Sequence, residues 1–378
     1  MDNYGHISQD MIIEILSRLP EKSLQRCKCV CNSWRSIITS RSFIYEHFNM
    51  ALADIKNAHL LISLYDRDTQ EDVFYLFTND ELKAPTNLRI RTNRHRYLNI
   101  MGPCHGLFCL YDSEKLCLWN PATREIKDIP ESPIPLPSKL DCMCEVLFGF
   151  GFDSKTIDYK VVKLLRKDCV DQHNNYSVEV YTLSTNSWRI IDVVVPAYII
   201  CYLYTYDISA YMNGTYYWYA EMVIVCFDMS NEQFGMIRLP KIDFPLVEEN
   251  YRSGNFISSS RFTECNGSLA VIFYLRNGSN IWSELWTMNG HGMAVTWTKQ
   301  FSVGWLEGQW MPCPIGTFKN NKVLFVSMDS KCAITPYDHE TRSLQIPLPV
   351  DSDIKIKCRG WNTIAVLYTE SLISIRDV

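Results

Sequence analysis

No excess of positive charge, no helix-length apolar run and no regular cysteine framework appear in this sequence. Lys and Arg number 37 against 42 Asp and Glu, a net charge of −5 over 378 residues. Binding along a nucleic-acid backbone needs a basic face, which that balance does not supply. The most apolar stretch, IIDVVVPAYIICYLYTY (190–206), contains Asp192 and Pro196 and is rich in β-branched and aromatic residues. It reads as buried strands, so no membrane span is expected. The opening MDNYGHISQD has no basic segment followed by an apolar run, and no secretory signal is expected. Fifteen cysteines without ordered spacing are expected to be free thiols of a reducing compartment. Of four Asn-x-Ser/Thr triplets, at Asn175, Asn213, Asn266 and Asn277, three are Asn-Gly pairs. Asn-Gly is a hairpin signal, so turns are expected there.

Catalytic motifs are absent too. Gly149-Phe-Gly151 is followed by Ser154 where a dinucleotide fingerprint needs a third glycine. There is no phosphate-binding loop, no His-Glu-x-x-His and no Gly-x-Ser-x-Gly. Asp338, His339 and Glu340 adjoin one another in YDHETR, but in the turn slot of a repeat, where a solvated hairpin is expected. Cys142 and Cys144 fall in a loop after a proline-rich stretch. No catalytic residue, cofactor or metal ligand is assigned.

What is present divides at about residue 50. Ser8 suits the N-cap of a helix running to about Leu19, with Met11, Ile12, Ile15, Leu16 and Leu19 on one face. Pro20 breaks it. A second helical pattern carries Leu24, Cys27, Val30, Cys31, Trp34, Ile37 and Ile38, and a third carries Phe43, Ile44 and Phe48. On one continuous second helix Cys27 and Cys31 share the face of Leu24 and Trp34, while Cys29 points away. No histidine stands near to complete a zinc set. Cys27 and Cys31 are therefore expected to pack as small hydrophobes. Three short helices bury little surface, so such a unit needs a partner.

The segment LSRLPEKSLQRCKCVCNSWRSIITSRSFIYEHF resembles the F-box of plant proteins. The resemblance is carried by Glu14, Ile15, Leu16, Arg18, Leu19, Pro20, Lys22, Ser23, Leu24, Arg26, Cys29, Val30, Cys31, Ser33, Trp34, Arg35, Ser36, Phe43 and His47. It implies docking on the Skp-type adaptor of a cullin–RING ubiquitin ligase, through Ile7, Met11, Ile15, Leu16, Leu19, Pro20, Leu24, Val30, Cys31 and Trp34. The family opens with Leu-Pro. Here Ile7 and Ser8 stand instead, so a pre-set φ angle is lost.

Residues 51–57 read as a linker. From 58 to 378 the period shortens to alternating runs separated by turn residues. LCLWNPATREIKDIP (116–130), VEVYTLSTNSWRIID (178–192), VIVCFDMSNEQFGMIRLP (223–240), SELWTMNGHGMAVTWTKQ (283–300) and AITPYDHETRSLQIPLP (333–349) align as strand, polar turn and strand. Each first strand ends in an aromatic: Trp119, Tyr181, Phe227, Trp286 and Tyr337. A second hairpin precedes most of them. Four strands at this spacing predict a β-propeller of six or seven blades. An irregular early blade is expected near 59–77, and IAVLYTESLISI (364–375) is expected to pair with it and close the ring. Aromatics are expected to fill the space between blades, and residues 58–378 to stand alone.

The phrases GPCHGLFCL, LWNPATREIKDIP, GFGFDSKTIDYKVVKL and LYTESLISI resemble the kelch-like F-box-associated domain of plants, with wording most similar to S-locus F-box proteins. The resemblance implies a non-catalytic substrate-recognition subunit of an SCF-type E3 ubiquitin ligase, cytoplasmic or also nuclear. Its partners would be the adaptor, cullin through it, and a protein target, in that subgroup a pistil ribonuclease met in pollen. The first fifty residues hold six Lys and Arg against five Asp and Glu, so the rest carries −6. An acidic rim would steer a basic, secreted-type ribonuclease. Candidate target contacts lie in the longer insertions: Asp141, Glu145, Asp243, Glu248, Glu249, Trp305, Glu307 and Trp310. A propeller enzyme, a kelch-type oxidase or a glycan-active protein, would need a convergent polar set that the sequence does not present. An F-box protein acting outside a ligase is the other alternative.

Overall fold

The computed structural model describes residues 7–53, 58–66, 71–78, 86–88, 90, 99–112, 115–135, 145–166, 176–196, 209–220, 223–242, 256–277, 280–290, 295–305, 312–318, 322–327, 334–338, 340–344, 348, 356–357 and 364–376. Four helices come first: α1 (Gln9–Ser17), α2 (Glu21–Cys27), α3 (Asn32–Thr39) and α4 (Arg41–Ala53). Strands follow in six sheets. The first holds β1 (Ala58–Asp66), β2 (Glu71–Phe77) and β3 (Thr86–Leu88). The second holds β4 (Asn99–Cys104), β5 (Leu107–Tyr111), β6 (Leu116–Asn120) and β7 (Glu125–Asp128). The third holds β8 (Glu145–Asp153), β9 (Asp158–Arg166), β10 (Tyr176–Thr182) and β11 (Ser187–Ile191). The fourth holds β12 (Ser209–Met212), β13 (Thr215–Ala220), β14 (Val223–Asp228) and β15 (Gln233–Arg238). The fifth holds β16 (Phe256–Cys265), β17 (Ser268–Asn277), β18 (Asn280–Asn289) and β19 (Thr296–Trp305). The sixth holds β20 (Pro312–Phe318), β21 (Lys322–Ser327), β22 (Ile334–Asp338) and β23 (Ser343–Leu344). The last strands, β24 (Ile356–Lys357) and β25 (Ile364–Thr369), return to the first sheet.

This is a six-bladed β-propeller. β25 runs antiparallel to β1 from Ala58↔Thr369 to Ser63↔Ile364, so the end of the chain supplies the inner strand of the first blade. The ring closes as the alternation in 364–375 predicts, and closure leaves no open end between the first and last blades.

The aligned segments are the third and fourth strands of successive blades. Their aromatics sit opposite an apolar residue in most blades: Trp119↔Ile126, Tyr181↔Trp188, Phe227↔Phe234 and Tyr337↔Leu344. Trp119, Tyr181, Phe227 and Tyr337 are buried between sheets, and Trp286 is half-buried. The hairpin turns repeat a device. Asn120, Asp228 and Asp338 each accept two backbone N–H groups from the turn that follows. Asp338 is thereby a turn residue, as expected, with its carboxyl held below its usual value first by the Thr341 N–H. His339 lies outside the described residues. Asn213-Gly214 and Asn266-Gly267 take the left-handed conformation at both positions, as two-residue hairpins require. Gly149 and Gly151 pack a blade face: a Cβ on Gly149 would lie 2.7 Å from the Trp218 ring and one on Gly151 2.6 Å from Tyr211.

Buried ions tie the blades together. Lys160 Nζ lies 2.7 Å from Asp153 and 2.7 Å from Glu232 of the next blade. Lys163 Nζ lies 2.8 Å from Glu179 and also donates to Ser132 and the Ile134 carbonyl.

Three details differ from the sequence expectation. The second helical pattern is two helices, because Lys28–Val30 turn and Cys31 restarts the helix as its N-cap. Cys31 is exposed and its Sγ accepts the Trp34 N–H at 3.5 Å, so it caps a helix and does not pack in a core. Cys27 is half-buried against the helical core. Residues 51–53, read as linker, belong to α4.

Candidate functional site

Ser8 caps α1 by accepting the Met11 N–H at 3.3 Å, so the residue standing where the family has proline supplies the helix start by another route. The expected single apolar face of α1 divides in two. Leu16 is fully buried, with Ile12, Ile13 and Leu19 packed beside it. Ile7, Met11 and Ile15 recur every four residues on the other side and are 58%, 56% and 51% exposed. Val30, in the turn after α2, is 64% exposed. Pro20 and Cys31 are exposed, and Leu19 and Trp34 are half-buried. These four stand among the large apolar side chains left in solvent on the helical unit, Met50 and Leu52 of α4 being others, and a row of them marks an interaction surface.

Leu16 and Leu24 cannot belong to that surface. Both are at 0% exposure, in a core with Ile37, Ile38 and Phe43. They support the exposed stripe from beneath. His47 is a residue whose role the sequence did not show. Its ring Nε2 donates to the Leu19 carbonyl at 2.8 Å, satisfying a backbone group in the turn between α1 and α2.

The opposite side of the helices meets the propeller. Tyr45 of α4 stacks on Phe152 with centroids 5.8 Å apart, and Phe48 lies 5.2 Å from His105. His105 also packs on Phe152 at 4.3 Å. It stands in the β4–β5 turn with φ 45°, the slot that Asn213 and Asn266 fill in other blades. Burial lowers its imidazole pKa to about 4, so it is neutral here near pH 7. Comparing the turn slots of the repeats would have marked it: asparagine suffices for the turn, and a histidine there has another partner.

The final residues run through this seam. Leu372 is 2% exposed and belongs to the helical core with Leu16, Leu24, Ile37, Ile38 and Phe43. Propeller and helices therefore share a buried cluster at this seam. Away from these anchors the seam is open: a cleft of about 900 Å³ separates Arg35 and Arg41 from Glu125 and His105.

Of the candidate target contacts, Asp141, Asp243, Glu248, Glu249, Glu307 and Trp310 lie outside the described residues. Glu145 begins β8 and Trp305 ends β19, where only the backbone is described. Among the described residues no group of three His, Cys, Asp or Glu could hold a metal ion, Cys27, Cys29, Cys31, Cys104, Cys109, Cys117, Cys226 and Cys265 are free thiols, and no helix is long and apolar enough to cross a membrane.

A helical unit with an exposed apolar stripe, carried on a closed propeller, is the architecture of an F-box protein. Residues 6–45 match the F-box domain and residues 57–375 match the F-box associated beta propeller domain. The chain belongs to that propeller family. Two proteins of Arabidopsis thaliana are similar along most of their length. An F-box/kelch-repeat protein is 28% identical over 78% of this chain and 78% of its own. The F-box protein CPR1 is 27% identical over 86% of this chain and 78% of its own. An F-box domain implies a Skp-type adaptor as partner.

Proposed function

We propose that this protein is a substrate receptor of an SCF-type ubiquitin ligase, with the helices on the Skp-type adaptor and propeller loops on a protein target. The observation that carries the reading is the exposed row Ile7, Met11 and Ile15 with Val30 nearby, on an F-box packed against a closed propeller. Half-exposed Leu19 and Trp34 and exposed Pro20 and Cys31 border that row. In this role the chain supplies no reactive group. It raises the local concentration of the target at the ubiquitin-loaded enzyme.

The adaptor half is tested by capturing a purified Skp-type adaptor with the full chain. Ile15→Asp places a charge in the apolar contact, while in the free protein the side chain is already in solvent. It should lose capture and keep the melting temperature. Full capture by Ile15→Asp sinks the assignment of this face.

The finer reading, a basic secreted-type ribonuclease as target, is supported by wording shared with S-locus F-box proteins and by the −6 charge beyond residue 50. Affinity capture from reproductive and vegetative tissue with the proteasome blocked tests it. A basic ribonuclease whose association slows with added salt is the expected result. An acidic or unrelated target removes this part and leaves the adaptor reading in place.

A further inference from the structure

The last seven described residues do two jobs at once. Ile375 is fully buried in the propeller core, and its N–H donates to Glu125 at 2.9 Å. Ser374 Oγ donates to the other oxygen of the same carboxylate at 3.2 Å. Asn120 Nδ2 donates to the carbonyls of Ser371 and Ile373, at 3.0 and 2.8 Å. This amide is itself fully buried, so its two bonds to the segment hold it in one register. Gly106 leaves room for the crossing: a Cβ there would lie 2.5 Å from the Ser371 Cβ and 2.8 Å from the Thr369 carbonyl. Between these propeller anchors Leu372 turns the other way and fills the helical core.

We propose that segment 370–376 is a working part of the adaptor-docking unit. Leu372 acts as a positioning residue that completes the helical core, and adaptor docking is thereby made conditional on closure of the propeller. The adaptor half of this inference rests on the receptor function proposed above.

Chain geometry couples the two events. Thr369 is held in β25 by its pairing with Ala58. Leu372 follows three residues later, a reach of about 10 Å when extended. With β25 in the ring, that short tether holds Leu372 beside the helical core, and Asn120 and Glu125 fix its register. The helices need it, because four short helices bury little apolar surface on their own, and Leu372 belongs to the same buried cluster as Leu16 and Leu24, which lie beneath the exposed stripe. The docking face is thus finished by residues at the other end of the chain. A receptor whose propeller is open lacks a firm face for the adaptor and does not bring an unformed target site to the ligase.

The experiment uses the full chain with Leu372→Asp, the conservative Leu372→Met, and a chain ending at Glu370 that keeps β25 whole. Two quantities are read: hydrogen exchange of the amides in α1–α4, and affinity for a purified Skp-type adaptor. Leu372→Asp and the shortened chain should exchange faster across α1–α4 and bind the adaptor at least about tenfold more weakly, as the competent population falls. In Leu372→Asp, which keeps Ile375 and the bonds to Asn120 and Glu125, protection in β4–β19 should persist. Leu372→Met should restore both readouts, since a volume-conserving apolar swap is tolerated. Unchanged exchange in α1–α4 overturns the proposal, whether or not the adaptor binds. Faster exchange with undiminished affinity overturns the conditional docking. If wild type binds no adaptor, the receptor function fails, and exchange alone decides whether Leu372 completes the helical core.

Discussion

The helices and the propeller solve the same problem in opposite ways. The propeller buries its apolar faces between blades, so that Phe150, Val162, Tyr216 and Phe227 are all at 0% exposure. Its last strand returns to its first, and its buried Lys160 and Lys163 are paired with Asp153 and Glu179 across short distances. The helical unit leaves Ile7, Met11, Ile15 and Val30 in solvent and takes Leu372 from the chain's end to complete its core. One region is self-sufficient by closure, and the other is unfinished by design, as a docking element must be. The seam between them is where their stabilities should separate.

The propeller half of that comparison breaks most sharply at Lys163. Lys163 and Glu179 are 1% and 0% exposed and face each other at 2.8 Å. Lys163→Met leaves the carboxylate buried without its cation, which costs about 3–5 kcal/mol. Urea unfolding should show a lower midpoint for the blades. Lys163→Met with Glu179→Leu should recover much of the loss, because both desolvation terms vanish together. A single variant as stable as wild type would show that the pair is not needed for blade packing.

Ring closure is the next point. Gly316 of β20 has φ 156°, and a Cβ there would lie 2.0 Å from the Ala365 carbonyl of β25. Neither backbone can give way cheaply, so Gly316→Ala should cost about 3 kcal/mol, the upper part of the overpacking range. If closure and adaptor docking are coupled, hydrogen exchange in α1–α4 should rise with it. Destabilised blades with unaffected helices would separate the two regions.

Much of this was legible from residues alone, and the gaps have physical causes. Period-two runs with an aromatic before each turn fixed the propeller, because blade strands carry their own alternation. The helical stripe was harder. Met11, Ile12, Ile15 and Leu16 are all apolar, and spacing cannot say which side faces inward when both sides are apolar. Leu16 and Leu24 went to the core and Ile7, Met11 and Ile15 to the surface. The break at Cys31 was hidden because the apolar spacing of Leu24 to Ile38 also fits one continuous helix. Leu372 had no local signal at all: LISI reads as strand, and its partners lie at the start of the chain.

Acid should loosen the seam before the propeller. Burial lowers His105 from about 6.5 to about 4 in the folded protein. Its neutral form is therefore favoured by folding. That contribution is complete above pH 6.5 and is lost as pH falls toward 4, amounting to about 2 kcal/mol by pH 5. Asp153 behaves in another window. Burial alone would raise its carboxyl, but hydrogen bonds from Lys160, Ser230, Thr156 and the Lys155 N–H hold it well below 3.8. Its contribution is present above pH 3.8 and is lost only at lower pH. Between pH 6.5 and 4, protease sites in α4 should open while the β8–β9 hairpin stays protected. His105→Asn keeps a turn-forming residue and should remove the pH dependence of α4. Simultaneous opening of both regions would contradict the separation.

The smallest effect concerns Cys31. Its thiol accepts the Trp34 N–H at 3.5 Å, a long and weak cap at the start of α3. Serine is a stronger acceptor at this position. Cys31→Ser should therefore stabilise the helical unit by a few tenths of a kcal/mol, roughly the difference between a weak and a good cap, while Cys31→Ala should cost about 0.5–1 kcal/mol. Both would be read from hydrogen exchange in α3, with the β4–β19 amides as the internal reference. A packed cysteine would give the reverse order, because serine would bury a hydroxyl and alanine would not. The order of the two variants therefore decides whether Cys31 caps a helix or fills a core, independently of any partner.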